Sequence, residues 1–114
     1  MIDDEESILE AYAALLMEHK LSVKTLNNAY KGMEFLKTNQ VDVIISDLSM
    51  PDFNGIEFFH KIKEELDFSG VFIFVTGFWD ESHNHLLNEG VSKVFSKPLS
   101  HHDLVVYLKE CGAS

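Results

Sequence analysis

Five positions pair a reactive side chain with a place where such a side chain needs a reason: Asp3 with Asp4, Asp47, Thr76 and Lys97. Each follows or closes a short apolar run. Asp47 ends VDVIISD at residues 41–47, a β-branched stretch that reads as a buried strand, and a loop with Pro51, Asn54 and Gly55 follows. Thr76 ends VFIFVT, and Lys97 follows VSKVFS. If these runs are parallel strands of one sheet, all five side chains emerge at its carboxyl edge, where open α/β sheets hold ligands. Three carboxylates gathered there repel one another unless a cation sits among them, a need that a hard, oxygen-ligated ion such as Mg²⁺ answers. A Lys ammonium and a Thr hydroxyl add a point charge and a hydrogen-bond donor for a tetrahedral anion. Metal plus ammonium around one carboxylate is a layout for placing a phosphoryl group on it, since phosphoryl transfer is mostly positioning and charge neutralisation.

The rest of the chain supplies the elements that such a layout requires. Apolar residues at helical spacing mark residues 7–21, 29–38 and 56–66, a weaker pattern covers 80–88, and Ser100 caps a last helix that buries Leu104, Val105 and Leu108. Strand signals lie before Asp3, at residues 22–26, in the central run, at 71–76 and at 91–96. Gly90 is placed to stop the fourth helix. Five strand signals alternating with five helix signals argue for right-handed βαβ units: an α/β, doubly wound parallel sheet covered on both faces. Residues 1–114 form a single domain with no repeat, linker or low-complexity segment.

Composition narrows the function classes. There are 19 acidic and nine basic residues, the nine are all Lys, and the formal net charge is -10. Without clustered cations or an Arg fork, the domain is not expected to bind nucleic acid. No apolar run approaches the ~20 residues needed to span a bilayer, so no membrane partner is expected. The single Cys111 cannot form an internal bridge, and a cytoplasmic setting follows as the default. The paired histidines, His83 with His85 and His101 with His102, have spacings that do not face each other on a helix and are expected to be solvated.

Taken together, Asp3-Asp4, DLSMPDFNG around Asp47, FVTG around Thr76 and FSKP around Lys97 resemble the receiver domain of two-component response regulators, the CheY-like fold, over essentially the whole chain. The resemblance implies a five-stranded sheet of order 2-1-3-4-5 in a flavodoxin-like three-layer sandwich. It implies that Asp47 accepts a phosphoryl group from a histidine kinase or phosphotransfer protein, switching a partner or an output domain outside this chain. Asp4 would ligate Mg²⁺ (or Mn²⁺) directly and Asp3 through water, with Asp47 and the Ser49 backbone carbonyl completing the protein ligands. Lys97 and Thr76 would contact the phosphoryl oxygens, and Pro98 would follow a cis peptide bond that aims Lys97. Such a domain assists its own phosphorylation and dephosphorylation without being an enzyme acting on a separate substrate.

Three features depart from the family. Only two residues precede Asp3, so the first strand is short or truncated, and a clipped or unrecorded start is expected. The family's switch position carries an aromatic ring, whereas here it is Val94, with Phe95 expected on the opposite strand face. Phe78 and Trp79 place large apolar groups just after Thr76-Gly77, and Phe78 is expected to shield the site from water. Val94 and the short start also motivate an alternative, a receiver-like interaction module that signals without phosphorylation. A haloacid-dehalogenase-type hydrolase is disfavoured because Ser49 stands where its second Asp would be. With no Arg to make the ion pairs of the family's dimers, no dimer is expected and the oligomeric state is left open.

Overall fold

Runs of β-branched and aromatic residues form the centre of the molecule. In the computed structural model, which describes residues 1–3, 5–48, 54–97 and 99–111, β1 (Val43–Asp47), β2 (Val71–Thr76) and β3 (Lys93–Ser96) make a parallel sheet in the order β1-β2-β3. Ile45 is opposite Ile73, and Thr76 is opposite Ser96. Strict alternation sends neighbouring side chains to different layers. Ile44, Phe72, Phe74 and Val94 pack on one side with Phe58, Phe59 and Ile62 of α3 (Gly55–Glu65) and with Met33 of α2 (Ala29–Thr38). Ile45, Ile73, Val75 and Phe95 pack on the other with Tyr12 and Leu16 of α1 (Glu6–Glu18) and with Leu104, Val105 and Leu108 of α5 (His101–Glu110). The first layer is aromatic: Phe72 meets Phe59 and Phe74 edge-on, each with ring centroids 4.9 Å apart.

Helix ends follow local chemistry. The Asn28 side chain accepts from Lys31 N at 2.8 Å, Asn54 from Ile56 N at 2.7 Å, and Ser100 from Asp103 N at 3.3 Å. Asn28→Ala is expected to lower stability by about 1 kcal/mol, a fall in Tm of several degrees in a thermal melt; an unchanged melt would show that water replaces the cap. α4 (His85–Glu89) ends at Gly90, whose φ of 122° is open to glycine and strained for other residues.

The structure departs from the sequence reading in four places. Three strands are present among the described residues rather than five. The segment around Ile2 and the expected strand at residues 22–26 are tied in by single parallel bridges, Ile2 to Leu26 and Ile2 to Ser46. The inner segment thus forms one bridge on each side. The first helix stops at Glu18, where Leu21 N–H returns to Leu16 O and Lys20 takes a left-handed φ of 63°. The expected helix at 80–88 is a 3₁₀ turn (Glu81–His83) capped by Asp80, followed by the short α4.

Candidate functional site

The carboxyl edge of the sheet gathers four of the five chemistry-bearing positions. Asp47 is the last residue of β1, Thr76 the last of β2, and Lys97 directly follows β3. Asp3 is carried alongside β1 by two backbone bonds of Ile2, whose N–H donates to Ile45 O at 2.7 Å and whose carbonyl accepts from Asp47 N at 3.0 Å. Asp3, Asp47 and Thr76 are buried, at 3, 6 and 5 % exposure. Two acids this deep require a counter-charge. Lys97 supplies it: its Nζ lies 2.9 Å from Asp47 Oδ2 and 3.8 Å from Asp3 Oδ2. Partial burial pulls the Lys97 ammonium down, but the hydrogen bond and charge of Asp47, aided by Asp3 and Glu5, outweigh it and raise its pKa above the ordinary value.

The backbone fixes where that ammonium starts. Lys97 N–H donates to Thr76 O at 2.8 Å, extending the β2–β3 ladder one residue past the strand. Further along, the buried Tyr12 of α1 donates from its hydroxyl to Leu99 O at 3.2 Å, tying the segment after Lys97 to the helix that follows Asp3. Burial and the nearby Asp3 carboxylate raise the Tyr12 pKa, with Lys97 opposing, so its hydroxyl keeps its proton. Tyr12 was legible only as a core position, because nothing in the spacing shows which carbonyl its hydroxyl reaches. Thr76 is held in a tight turn: its Oγ1 donates to Phe78 O at 2.9 Å and accepts from Phe78 N at 3.1 Å. A Thr hydroxyl bonding the backbone two residues on makes such a turn.

Other expectations resolve differently. The Phe78 ring is 67 % exposed and meets His83 at 6.3 Å, so it is turned to solvent rather than over the acids. Val94 packs into the α2/α3 layer, whereas Phe95 lies on the opposite face against Tyr107, with ring centroids 5.9 Å apart. The histidines split. His60 and His85 face Glu89 at 3.1 and 3.4 Å, while His101 packs on the Tyr12 ring at 4.7 Å. Asp4, Ser49 and Pro98, named above as two metal ligands and a cis-proline, lie outside the described residues.

Asp3 and Asp47 are two buried oxygen donors sharing one ammonium, which is an excess of negative charge that fits a hard divalent cation. Among the described residues no group of three or more such ligands is assembled. No helix among them is long and apolar enough to cross a membrane.

Comparison with known proteins agrees with this geometry. The two-component response regulator ARR12 of Arabidopsis thaliana is 34% identical over 68 residues, covering 58% of this chain and 11% of that protein. The chain thus spans a small part of the curated plant relatives it matches. The crystal structure of a CheY-like response regulator receiver domain protein from Methanospirillum hungatei superposes with a TM-score of 0.88 at 25% identity, covering 96% of this chain and 87% of that one. TrrA of Thermotoga maritima, solved with Mg²⁺ and BeF, shares the fold with a TM-score of 0.82 at 21% identity, covering 96% of this chain and 94% of that one. A family profile for the response regulator receiver domain matches residues 1–109. With acid, hydroxyl and ammonium at three successive strand ends, the chain belongs to the response regulator receiver domain family.

Proposed function

We propose that this receiver accepts a phosphoryl group on Asp47 from a phosphohistidine of a histidine kinase or phosphotransfer protein. The observation that carries the proposal is the Lys97 ammonium 2.9 Å from a buried Asp47 carboxylate at the sheet's carboxyl edge. In the transfer, the bond from phosphorus to the imidazole nitrogen breaks and its electron pair stays on the nitrogen. A carboxylate oxygen of Asp47 forms the new P–O bond. Lys97 is already placed to follow the negative charge from the carboxylate to the phosphoryl oxygens. The Thr76 hydroxyl reaches the same group by rotating away from the Phe78 carbonyl, exchanging a local bond for one to a stronger acceptor. A divalent ion, Mg²⁺ or Mn²⁺, held by Asp3, Asp4, Asp47 and the Ser49 carbonyl, would supply charge neutralisation when bound.

The added charge of about -1.5 to -2 then biases a two-state surface read by a partner or an output domain. Val94 occupies the position from which an aromatic ring would report that change. The bridges from Ile2 to Leu26 and Ser46 support extending the three-stranded sheet to five in the order 2-1-3-4-5. On this reading residues 1–114 act as one cytoplasmic signalling unit.

The test is intact-mass analysis after incubation with acetyl phosphate and Mg²⁺, with a no-metal sample alongside. A metal-dependent gain of one phosphoryl group, mapped to Asp47, is expected. No gain, in a sample whose melt shifts with Mg²⁺, would overturn the proposal in favour of an interaction module that signals without phosphorylation.

A further inference from the structure

From the helix that follows the acid, Tyr12 reaches the segment that carries the cation. Its hydroxyl donates to Leu99 O at 3.2 Å, and both residues are buried. Leu99 directly precedes Ser100, the cap of α5, so its carbonyl stands ahead of the helix ladder, in which Leu104 N–H donates to Ser100 O at 3.1 Å. A buried carbonyl outside a ladder needs a donor from elsewhere, and Tyr12 brings one. Packing holds the ring in place: Leu16 and Leu104 share its cluster, and His101 meets it edge-on with ring centroids 4.7 Å apart.

The link from β3 to α5 is thereby pinned by two different elements. Lys97 N–H is bound to Thr76 O at the end of β2, and Leu99 O is bound to Tyr12 in the middle of α1. The Lys97 stem is long and flexible, so the place of its root decides which carboxylate the ammonium meets. Its Nζ stands 2.9 Å from Asp47 Oδ2 and 3.8 Å from Asp3 Oδ2. A shift of about 1 Å, the scale at which positioning governs rate, is enough to exchange the two partners. Burial and Asp3 raise the Tyr12 pKa while Lys97 lowers it, so the donor keeps its proton and lies within electrostatic reach of both charges.

We infer that Tyr12 is a positioning residue for phosphoryl transfer: its hydroxyl, through Leu99 O, holds the Lys97 ammonium on Asp47 rather than on Asp3. The inference rests on Asp47 being the phosphoryl acceptor. With the tether cut, the ammonium divides its time between the two acids. The charge that follows the phosphoryl group is then misplaced, and Asp3 is partly taken by an ammonium where a divalent ion would bind. Tyr12 itself does not react; it acts through Lys97.

The test is Tyr12→Phe, which keeps the ring and its packing and removes the hydroxyl. It is compared with the parent chain and with Asn28→Ala, which loses one hydrogen bond at the start of α2. At saturating acetyl phosphate and Mg²⁺, and well below the melt, Tyr12→Phe is expected to label about fivefold to tenfold more slowly, and Asn28→Ala at the parent rate. In chelator, exchange of the Lys97 ammonium protons with water, followed by ¹⁵N NMR, is expected to quicken about fivefold in Tyr12→Phe alone, because the bond to Asp47 protects them. Labelling of Tyr12→Phe at the parent rate, or equal slowing in Asn28→Ala, would overturn the inference. Unchanged ammonium exchange would overturn it as well, whether or not the parent chain takes up a phosphoryl group. A parent chain that takes up none, with ammonium exchange quickened in Tyr12→Phe, would overturn the acceptor role of Asp47 and leave the hold of Tyr12 on Lys97 supported.

Discussion

Asp47→Asn is expected to accept no phosphoryl group and, in the absence of divalent metal, to melt at a higher temperature than the parent chain. Lys97→Met should melt at a lower one. The signs follow from the charge count of the pocket. Two buried carboxylates, Asp3 and Asp47, share the single ammonium of Lys97. Replacing Asp47 with Asn removes one desolvated charge and its repulsion with Asp3, and leaves Lys97 a carboxylate partner 3.8 Å away. A gain of about 1 kcal/mol is expected, because a neutral isostere avoids the desolvation of a buried carboxylate and its repulsion with the neighbouring one. Lys97→Met does the reverse and removes the ammonium that stands 2.9 Å from Asp47 and 3.8 Å from Asp3. Breaking a fully buried pair costs about 3–5 kcal/mol; with the Lys97 side chain 30% exposed, a loss of about 2 kcal/mol is the appropriate figure. Paired thermal melts in chelator at neutral pH check both signs. A lower melt for Asp47→Asn would show that the Lys97–Asp47 bond outweighs the excess charge, and the pocket would then be a structural ion pair.

How much of this was legible in advance depends on what each feature is made of. The three central strands announce themselves through β-branched and aromatic runs, and parallel alternation then brings Asp47, Thr76 and Lys97 to one edge without any knowledge of distances. Asp3 was legible from the strand signal before it and the strand–helix alternation, though two residues make that signal a weak one; its place comes from the backbone bonds of Ile2 to Ile45 and Asp47. The Thr76 turn onto Phe78, the reach of Tyr12 to Leu99 and the solvent-facing Phe78 ring were not legible. Each depends on a rotamer or a loop path that hydrophobic periodicity does not encode. The first helix overran in the reading for a similar reason: Leu21 is apolar and buried, and only the left-handed Lys20 shows that it gets there by a turn rather than by another helical residue.

Two glycines beyond strand ends show the same limit and carry the second large effect. Gly55 and Gly77 each lie eight residues or fewer beyond an active-edge strand, and nothing in the sequence ranks them. In the structure a Cβ on Gly55 would stand 2.6 Å from both Asp47 O and Leu48 O and 2.9 Å from Leu48 C, whereas one on Gly77 would meet nothing within 4 Å. The contacts at Gly55 are backbone and cannot swing aside as a side chain can. They exist because Gly55 N–H donates to Leu48 O at 2.9 Å, drawing the first residue of α3 down onto the end of β1. Gly55→Ala must therefore push α3 away from Asp47 or distort the strand end, and a loss of about 3 kcal/mol is expected, at the upper end of what overpacking a rigid site costs. The same displacement moves the Asp47 backbone, so phosphoryl uptake from acetyl phosphate should fall by about tenfold or more even below the melt, as small misplacements of a reacting group do. Gly77→Ala has space and no left-handed φ to oppose it, and should be neutral or gain up to about 1 kcal/mol by restricting the unfolded chain. Melts and labelling of the two variants side by side decide the matter. Equal tolerance at both positions would mean that the β1–α3 junction can open without disturbing the site, and the close approach at Gly55 would then have no role in holding Asp47.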